Sequence, residues 1–442
     1  MKITIIGTGY VGLVTGVCLA FKGHNVTCVD RNSSIVNKLN SGKPTIYEKN
    51  LEKILKFVIR NKKFYVSSNL KKSLNYSSVV MIAVGTPSVN GKINLNDILN
   101  VSTEIGKFIK TSNKYISVII KSTVTPGTTD GLILNEIEKI SGKKLGQFGL
   151  GMNPEFLREG NAIDDFMFPD RIVLGFEDKK TLQYLEKLYS FTKANKIKVN
   201  SRTAELIKYT SNFLLATQIS SINEIANLAF KLGKINIKKV LNGVHLDKRW
   251  NPIVKKKRIN PEILNYLVPG CGFGGSCFTK DVEAIKTQGM KLGLPMKIMN
   301  ATLAVNHNQP SQTVKILESQ INKLSKCSIL LLGLSFKAGT DDVRDSPSLK
   351  IAKELMKKKM KIYAHDPIAA KNFKKAFGKN SKNIIFVKKW INILNKVNVI
   401  MIVTPWEEYF SLSKLKFNNQ IIFDVRCAFS KENFKGSKYL TT

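Results

Sequence analysis

The chain has 442 residues, 43% hydrophobic and 23% charged. That is ordinary globular usage and, at about 150 residues per domain, enough for two or three well-buried domains, which excludes disordered and fibrous classes and any need for a disulfide staple. The formal net charge of +38 comes from 70 Lys+Arg against 32 Asp+Glu. Lysine is spread along the whole chain, and the longest basic runs, Lys255 to Arg258 and Lys357 to Lys359, carry no interleaved aromatics, so the charge reads as compositional bias rather than a polyanion site.

Lys2 followed by the apolar stretch Ile3 to Phe21 imitates a signal peptide. However, the stretch carries glycines in a fixed pattern and leads into an alternating strand ending at Asp30, so it reads as folded structure. Strands are predicted at Lys2 to Ile6, Asn25 to Val29, Val79 to Val84 and Tyr115 to Lys121, with Phe148 to Asn153 and Arg171 to Gly175 extending the same sheet. Long helical crossovers between them predict a parallel sheet built from βαβ units. From Thr203 to about Leu232 no turn signal occurs and apolar residues recur at helical spacing, which predicts one long helix. Helical segments continue to about Asn308, after which Ser328 to Gly333, Lys361 to His365, Val397 to Val403 and Gln420 to Val425 predict a second parallel sheet. The expected architecture is α/β: a Rossmann-like domain at 1–200, a helical middle at 201–308 and a second Rossmann-like domain at 309–442.

Gly7-Thr8-Gly9-Tyr10-Val11-Gly12 follows a strand and opens a helix, and Asp30 closes the next strand. Gly7 permits the tight turn, Gly9 the approach of a pyrophosphate, and Gly12 close packing of helix on sheet. The helix N-terminus offers free N–H groups to the phosphates, and the acid can accept from both ribose hydroxyls, favouring NAD. Arg31, next in line, is of the type that accommodates a 2′-phosphate. Gly85-Thr86-Pro87 and Ser122-Thr123 lie just past later strands, where ligands bind in this architecture or where ordinary turns occur.

A glycine loop, Gly272 to Gly275, runs into Ser276-Cys277-Phe278-Thr279-Lys280-Asp281. Cys277 is expected at a helix start, where the dipole and Lys280 favour thiolate, with Asp281 on the same helix face. A buried structural cysteine is the competing reading. Glu155 and Glu159, and Lys208 and Asn212, are spaced four apart as well. Such carboxylates can orient water or move a proton, and a Lys–Asn pair can donate to an oxyanion; a solvated helix face is the alternative for each. Cys18, Cys28, Cys271, Cys277, Cys327 and Cys427 include no C-x-x-C pair, and only four histidines occur. No zinc site, no disulfide and no membrane span are expected, and a cytoplasmic protein is.

These stretches form a longer series: GTGYVG (7–12), VD (29–30), GTP (85–87), STVTPGTT (122–129), NPEFLREG (153–160), PDRIVLG (169–175), AELIKYTSN (204–212), NE (223–224), GFGGSCFTKD (272–281), GLSFKAGTDDVRDSPS (333–348), HDP (365–367) and TPW (404–406). The series resembles the UDP-glucose/GDP-mannose dehydrogenases, NAD-dependent enzymes that oxidise the C6 alcohol of a nucleotide sugar to a carboxylate. The resemblance implies Cys277 as the nucleophile that captures an enzyme-held aldehyde as a thiohemiacetal, oxidised by a second NAD⁺ to a thioester that water hydrolyses. It makes Asp281 and Glu159 handlers of water and protons, Lys208 and Asn212 stabilisers of the oxyanion, Thr123 a holder of water and Glu155 an acid of thioester hydrolysis. Cofactor contacts are implied for Gly7, Gly9, Tyr10, Val11, Gly12, Asp30, Thr86, Thr123, Glu159, Lys280 and Arg344. Substrate contacts are implied for Glu155, Phe156, Leu157, Arg158, Glu159, Lys208, Asn212, Tyr266, Leu267, Val268, Pro269, Gly270, Gly274 and Lys337.

The resemblance also implies a homodimer in which an arginine, Arg258 or else Arg249, reaches the neighbouring subunit's substrate. The segment from Val244 to Pro269 departs from the usual pattern. The expected substrate is UDP-glucose, with GDP-mannose or a UDP-N-acetylhexosamine as the alternatives. A polyanion-binding protein that has lost catalysis is a rival from another class, and binding of nucleic acid or membrane is not expected.

Overall fold

The computed structural model describes residues 1–89, 91–417, 419–434 and 436–442. They divide into two compact units, Met1–Ser211 and Asn212–Thr442.

The first unit is built on eight strands: β1 (Lys2–Ile6), β2 (Asn25–Val29), β3 (Phe64–Ser67), β4 (Val79–Ile82), β5 (Ser117–Ile120), β6 (Gly149–Met152), β7 (Arg171–Phe176) and β8 (Asn195–Val199). Their order across the sheet is β8-β7-β6-β5-β4-β1-β2-β3. The run β3-β2-β1-β4-β5-β6 is parallel throughout. Ile3 and Ile5 feed one core and Ile6 the other, while Val79 and Met81 oppose Val80 and Ile82 in the same way. A parallel sheet covered on both faces needs such near-continuous apolar strands, which is why these were legible in the sequence.

One junction differs from the expected all-parallel sheet. β7 runs antiparallel to β6, with Gly151 opposite Phe176 and Met152 opposite Gly175. The connection between them holds only the short helix Ala162–Met167 and makes no full crossover, so the chain re-enters the sheet at the end it left. β3 and β8 were not foreseen. β3 is four residues long, and β8 (NKIKV) places lysines on a partly exposed edge, where no apolar run is required.

Helix α1 (Tyr10–Phe21) follows β1, and helix α2 (Ser201–Leu232) carries the chain out of the first unit. In the second unit, helices α3 (Phe278–Lys291) and α4 (Lys297–Glu318) precede six strands. These are β9 (Ser328–Leu332), β10 (Lys361–His365), β11 (Ile384–Phe386), β12 (Val399–Ile402), β13 (Ile421–Asp424) and β14 (Lys438–Thr441), ordered β11-β10-β9-β12-β13-β14 and all parallel. β9 splits its side chains between two cores, Ile329 and Leu331 against Leu330 and Leu332. The short strands β11 and β14 are again edges that sequence periodicity did not show. No helix among the described residues is long and apolar enough to cross a membrane.

Candidate active site

The first unit gathers its polar loops at the carboxyl ends of its parallel strands, the edge at which ligands bind in open α/β sheets. Gly7 follows β1 with φ +99°, and a Cβ there would lie 2.7 Å from the Ala83 carbonyl oxygen. A Cβ on Gly12 would lie 2.0 Å from the Gly7 carbonyl oxygen, so helix and turn touch. Gly9 is different: nothing stands within 4 Å of its Cβ position. It occupies the N-cap of α1 with no side-chain cap, so the first amides of that helix face open space, as a pyrophosphate requires. At the end of β2, Asp30 accepts from the Thr8 hydroxyl and, at 2.9 Å, from the Asn32 amide. Arg31 turns instead to Asp97, 3.6 Å away. The residues present fit a dinucleotide carrying a ribose diol.

Thr86 Oγ1 donates to the Thr123 carbonyl at 2.9 Å, and Ser122 Oγ donates to the Val84 carbonyl at 2.7 Å, so the turns after β4 and β5 are tied together. The next loop is fixed from behind. Glu205, buried near the start of α2, accepts from the Gly127 and Thr129 amides at 2.7 and 2.8 Å. Burial pushes its carboxyl up to about 7, against the pull of those donors.

After β6 the segment Asn153 to Gly160 is not helical. Glu155 and Glu159 therefore do not share a helix face, contrary to the expectation from their spacing. Pro154 disfavours helix entry, and Gly160 takes φ +83°. The loop is pinned instead by the buried Glu48, which accepts from the Tyr10 hydroxyl, the Gly160 amide at 2.8 Å and the Ala162 amide at 3.1 Å. Arg158 pairs with Asp165 at 2.7 Å.

Glu155 and Lys208 form a buried ion pair, Nζ to Oε1 2.9 Å, and the Leu157 amide donates to the other carboxylate oxygen at 2.6 Å. Burial pushes the Glu155 carboxyl up. The charge and hydrogen bond of Lys208, the Leu157 amide and the charge of Lys121 together outweigh it and hold the group below the usual carboxylate range. The Phe156 ring lies under two cations, Arg171 at 4.1 Å and Lys208 at 5.4 Å. Lys121 itself is 4% exposed, with Nζ 2.9 Å from Asn153 Oδ1 and 3.4 Å from the Tyr189 hydroxyl.

In the second unit Cys277 caps α3 from the N-terminal side, half-buried, with Ser276 Oγ 3.5 Å from its sulfur. Asp281, one turn on, returns its amide to the Cys277 carbonyl at 2.8 Å. Its carboxylate is 1% exposed and accepts from Asn212 Nδ2 and Lys280 Nζ, each at 2.6 Å. Lys280 thus spends its charge on Asp281 rather than standing free beside the thiol.

The glycine loop before Cys277 is held by buried amides to which the sequence reading assigned no role. Asn306 on α4 accepts from the Phe273 amide at 2.7 Å and donates to its carbonyl at 3.1 Å. Gln309 donates to the Gly270 carbonyl at 2.9 Å, and Asn223 accepts from the Gly270 amide at 2.7 Å. Their signal was present as amides interrupting otherwise helical apolar faces. Gly275 donates to the Arg344 carbonyl at 2.8 Å, and a Cβ on Gly274 would lie 2.4 Å from the Asp345 carbonyl oxygen.

Other expected contacts are more scattered. Arg344 is exposed and paired with Asp342 at 2.7 Å, and Lys337 lies half-buried beside Phe336. Tyr266 and Leu267 end a 3₁₀ turn, Glu262–Leu267, which Val268, Pro269 and Gly270 join to the glycine loop. Arg258 donates to the Asn251 carbonyl at 3.1 Å from a two-residue hairpin strand, and Arg249 pairs with Asp247 at 2.5 Å on the surface. None of the six cysteines is bonded in a disulfide, and burial raises the Cys271 thiol. The described residues contain no cluster of three or more His, Cys, Asp or Glu able to hold a metal ion.

The chain is similar over nearly its whole length to known proteins. A UDP-glucose 6-dehydrogenase of Rickettsia bellii is 37% identical over 435 residues, covering 96% of this chain and 95% of the relative. A UDP-glucose 6-dehydrogenase of Bacillus subtilis is 35% identical over 432 residues, covering 96% and 93%. The solved structure of a UDP-glucose dehydrogenase from the archaeon Pyrobaculum islandicum superposes with a TM-score of 0.89 at 34% identity, covering 99% of this chain and 96% of that one. Residues 1–193 match the NAD binding domain of the UDP-glucose/GDP-mannose dehydrogenase family, residues 202–308 its central domain and residues 330–431 its UDP binding domain. Matched in order over nearly its whole length, the chain belongs to the UDP-glucose/GDP-mannose dehydrogenase family.

Proposed function

We propose that the protein oxidises the C6 hydroxyl of UDP-glucose to the carboxylate of UDP-glucuronate, using two NAD⁺ and one water. The observation that carries this reading is the Cys277 arrangement: a half-buried thiol at a helix start, with a carboxylate held rigidly one turn away. An alcohol taken to an acid needs a group that holds the aldehyde between two oxidations, and a thiolate does this by covalent capture.

Bound NAD⁺ supplies the hydride acceptor in each oxidation. The Gly7–Gly12 turn and Asp30 bind it, with Tyr10, Val11, Thr86, Thr123, Glu159, Lys280 and Arg344 as further contacts. Asp281 takes the proton of the C6 hydroxyl in the first oxidation, directly or through water held with Thr123 and Glu159. Cys277 then adds to the aldehyde carbon. Lys208 and Asn212 donate to the oxygen on which charge develops, at capture and again at thioester hydrolysis. Glu155 assists the water that breaks the carbon–sulfur bond and restores the Cys277 thiolate. Phe156 to Arg158, Tyr266 to Gly270, Gly274 and Lys337 form the nucleotide-sugar site.

In this reading 1–200 is the cofactor domain, 201–308 the central domain and 309–442 the nucleotide domain, working in the cytoplasm. The active form is a homodimer in which Arg258, or in its place Arg249, reaches the partner's substrate. Exposed Leu214, Ile225, Leu228 and Leu232 on α2, with Val240 and Val244 on the helix Ile237–His245, support such an interface.

The test is NADH yield from limiting nucleotide sugar with excess NAD⁺. UDP-glucose should give two NADH per molecule, and Cys277→Ser should lose acid production while still binding NAD⁺. Two NADH from GDP-mannose or a UDP-N-acetylhexosamine alone would keep the chemistry and change the substrate, and no NADH from any would end the reading.

A further inference from the structure

Around Glu155 the first unit buries two ammonium groups and one carboxylate. Lys208 takes the carboxylate at 2.9 Å. Among the described residues Lys121, at the carboxyl end of β5 and immediately before Ser122-Thr123, has only neutral hydrogen-bond partners, Asn153 Oδ1 at 2.9 Å and the Tyr189 hydroxyl at 3.4 Å. Tyr189 is buried, which raises its phenol, and its hydroxyl donates to the same Asn153 oxygen at 2.5 Å. A lysine stem in this position gains nothing that a methionine would not, and its charge is costly where water is excluded. The arrangement is therefore an expensive way to pack a core, and it sits beside a carboxylate assigned to the reaction.

We propose that Lys121 is a positioning residue for the reaction: by carrying or releasing one proton it sets how basic the Glu155 carboxylate is, and so how fast the thioester on Cys277 is hydrolysed. This rests on the reading of Glu155 given above. The charged groups acting on Lys121 are Glu155, from the loop after β6, and Lys208, from α2. Burial, the larger effect, brings its ammonium down to about 7, so both charge states are populated near neutrality. When Lys121 is charged, two cations hold Glu155 as a poor base. When it is neutral, only Lys208 does, and Glu155 accepts a proton from the attacking water more readily. Hydrolysis then consumes that water, the carbon–sulfur bond breaks, the carboxylate leaves and Cys277 keeps the electron pair as thiolate.

Substitution can lock each state, methionine the neutral one and arginine the charged one. With UDP-glucose and saturating NAD⁺, wild-type kcat should rise through one ionisation near neutrality, by roughly fivefold or more between about pH 6 and about pH 9. Lys121→Met should be flat near the upper plateau and Lys121→Arg flat near the lower one. A structural role alone would not give opposite plateaus. The inference is overturned by a wild-type profile with no such ionisation, or by a variant that retains it. Should neither variant fold, Tyr189→Phe removes an acceptor from Lys121 and should move the ionisation to lower pH, and an unmoved midpoint would overturn the inference. Wild-type protein that makes no NADH from any nucleotide sugar would remove the functional reading and this inference with it. Turnover with a profile indifferent to Lys121 would remove this inference alone.

Discussion

Lys121 also has a measurable effect on stability, because its ammonium is held where burial disfavours charge. Its folded pKa of about 7 lies below the 10.5 of an exposed lysine, so the unfolded chain binds the proton more tightly. Lys121 therefore costs stability, fully below about pH 7 and decreasingly as pH rises through 10.5, above which both states are neutral. Lys121→Met should raise thermal stability by about 2–4 kcal/mol near neutral pH, with the gain shrinking towards pH ~10. Melting curves at stepped pH check this, and a gain independent of pH would contradict it. Individual residues were legible in the sequence where their type is rare and their spacing has a mechanism: Gly7, Gly9, Gly12, Asp30 and Cys277. Lys121 was not. In a chain with 70 Lys+Arg one more lysine carries no signal, and its character comes from burial. Glu48 was missed for the same kind of reason, since its donors, Tyr10, Gly160 and Ala162, lie far from it along the chain.

At the scale of elements, α2 acts through what its side chains hold. Glu205 caps the Gly127 and Thr129 amides, and three residues on Lys208 pairs with Glu155. Glu205→Ala keeps a good helix former in place but leaves those buried amides without an acceptor, at a cost of about 1–3 kcal/mol. Hydrogen exchange at Gly127 and Thr129 should accelerate while amides in β1 and β4 keep their protection. Equal acceleration everywhere would show a global effect instead of a local one. The length of α2 and the strands buried on both faces were visible as periodicity. The edge strands β3, β8, β11 and β14 were not, because half their side chains meet solvent and their pairing is made by the neighbouring strand. The spacing of Glu155 and Glu159 misled for a related reason: a four-residue interval means a shared face only where the backbone is helical, and Pro154 and Gly160 prevent that here.

At the scale of the molecule, the exposed apolar residues of α2 and the helix after it contrast with a surface otherwise rich in lysine. Leu228→Asp should place a charge in the proposed contact between copies and shift sedimentation from dimer to monomer, with loss of activity if the partner's arginine completes the site. A variant that stays dimeric would move the interface elsewhere. The sequence by itself determined the α/β class, the dinucleotide turn, the thiol and its acid neighbour, and the family, because each depends on residue type at short spacing and on periodicities of two and 3.6. Only the tertiary structure decided the antiparallel turn between β6 and β7, the clamps made by Glu48, Glu205, Asn223, Asn306 and Gln309, and the buried cluster of Lys121, Glu155 and Lys208. These depend on which distant groups share a water-free space, and a hydrogen bond or a charge acquires its strength from that exclusion of water rather than from its place in the chain.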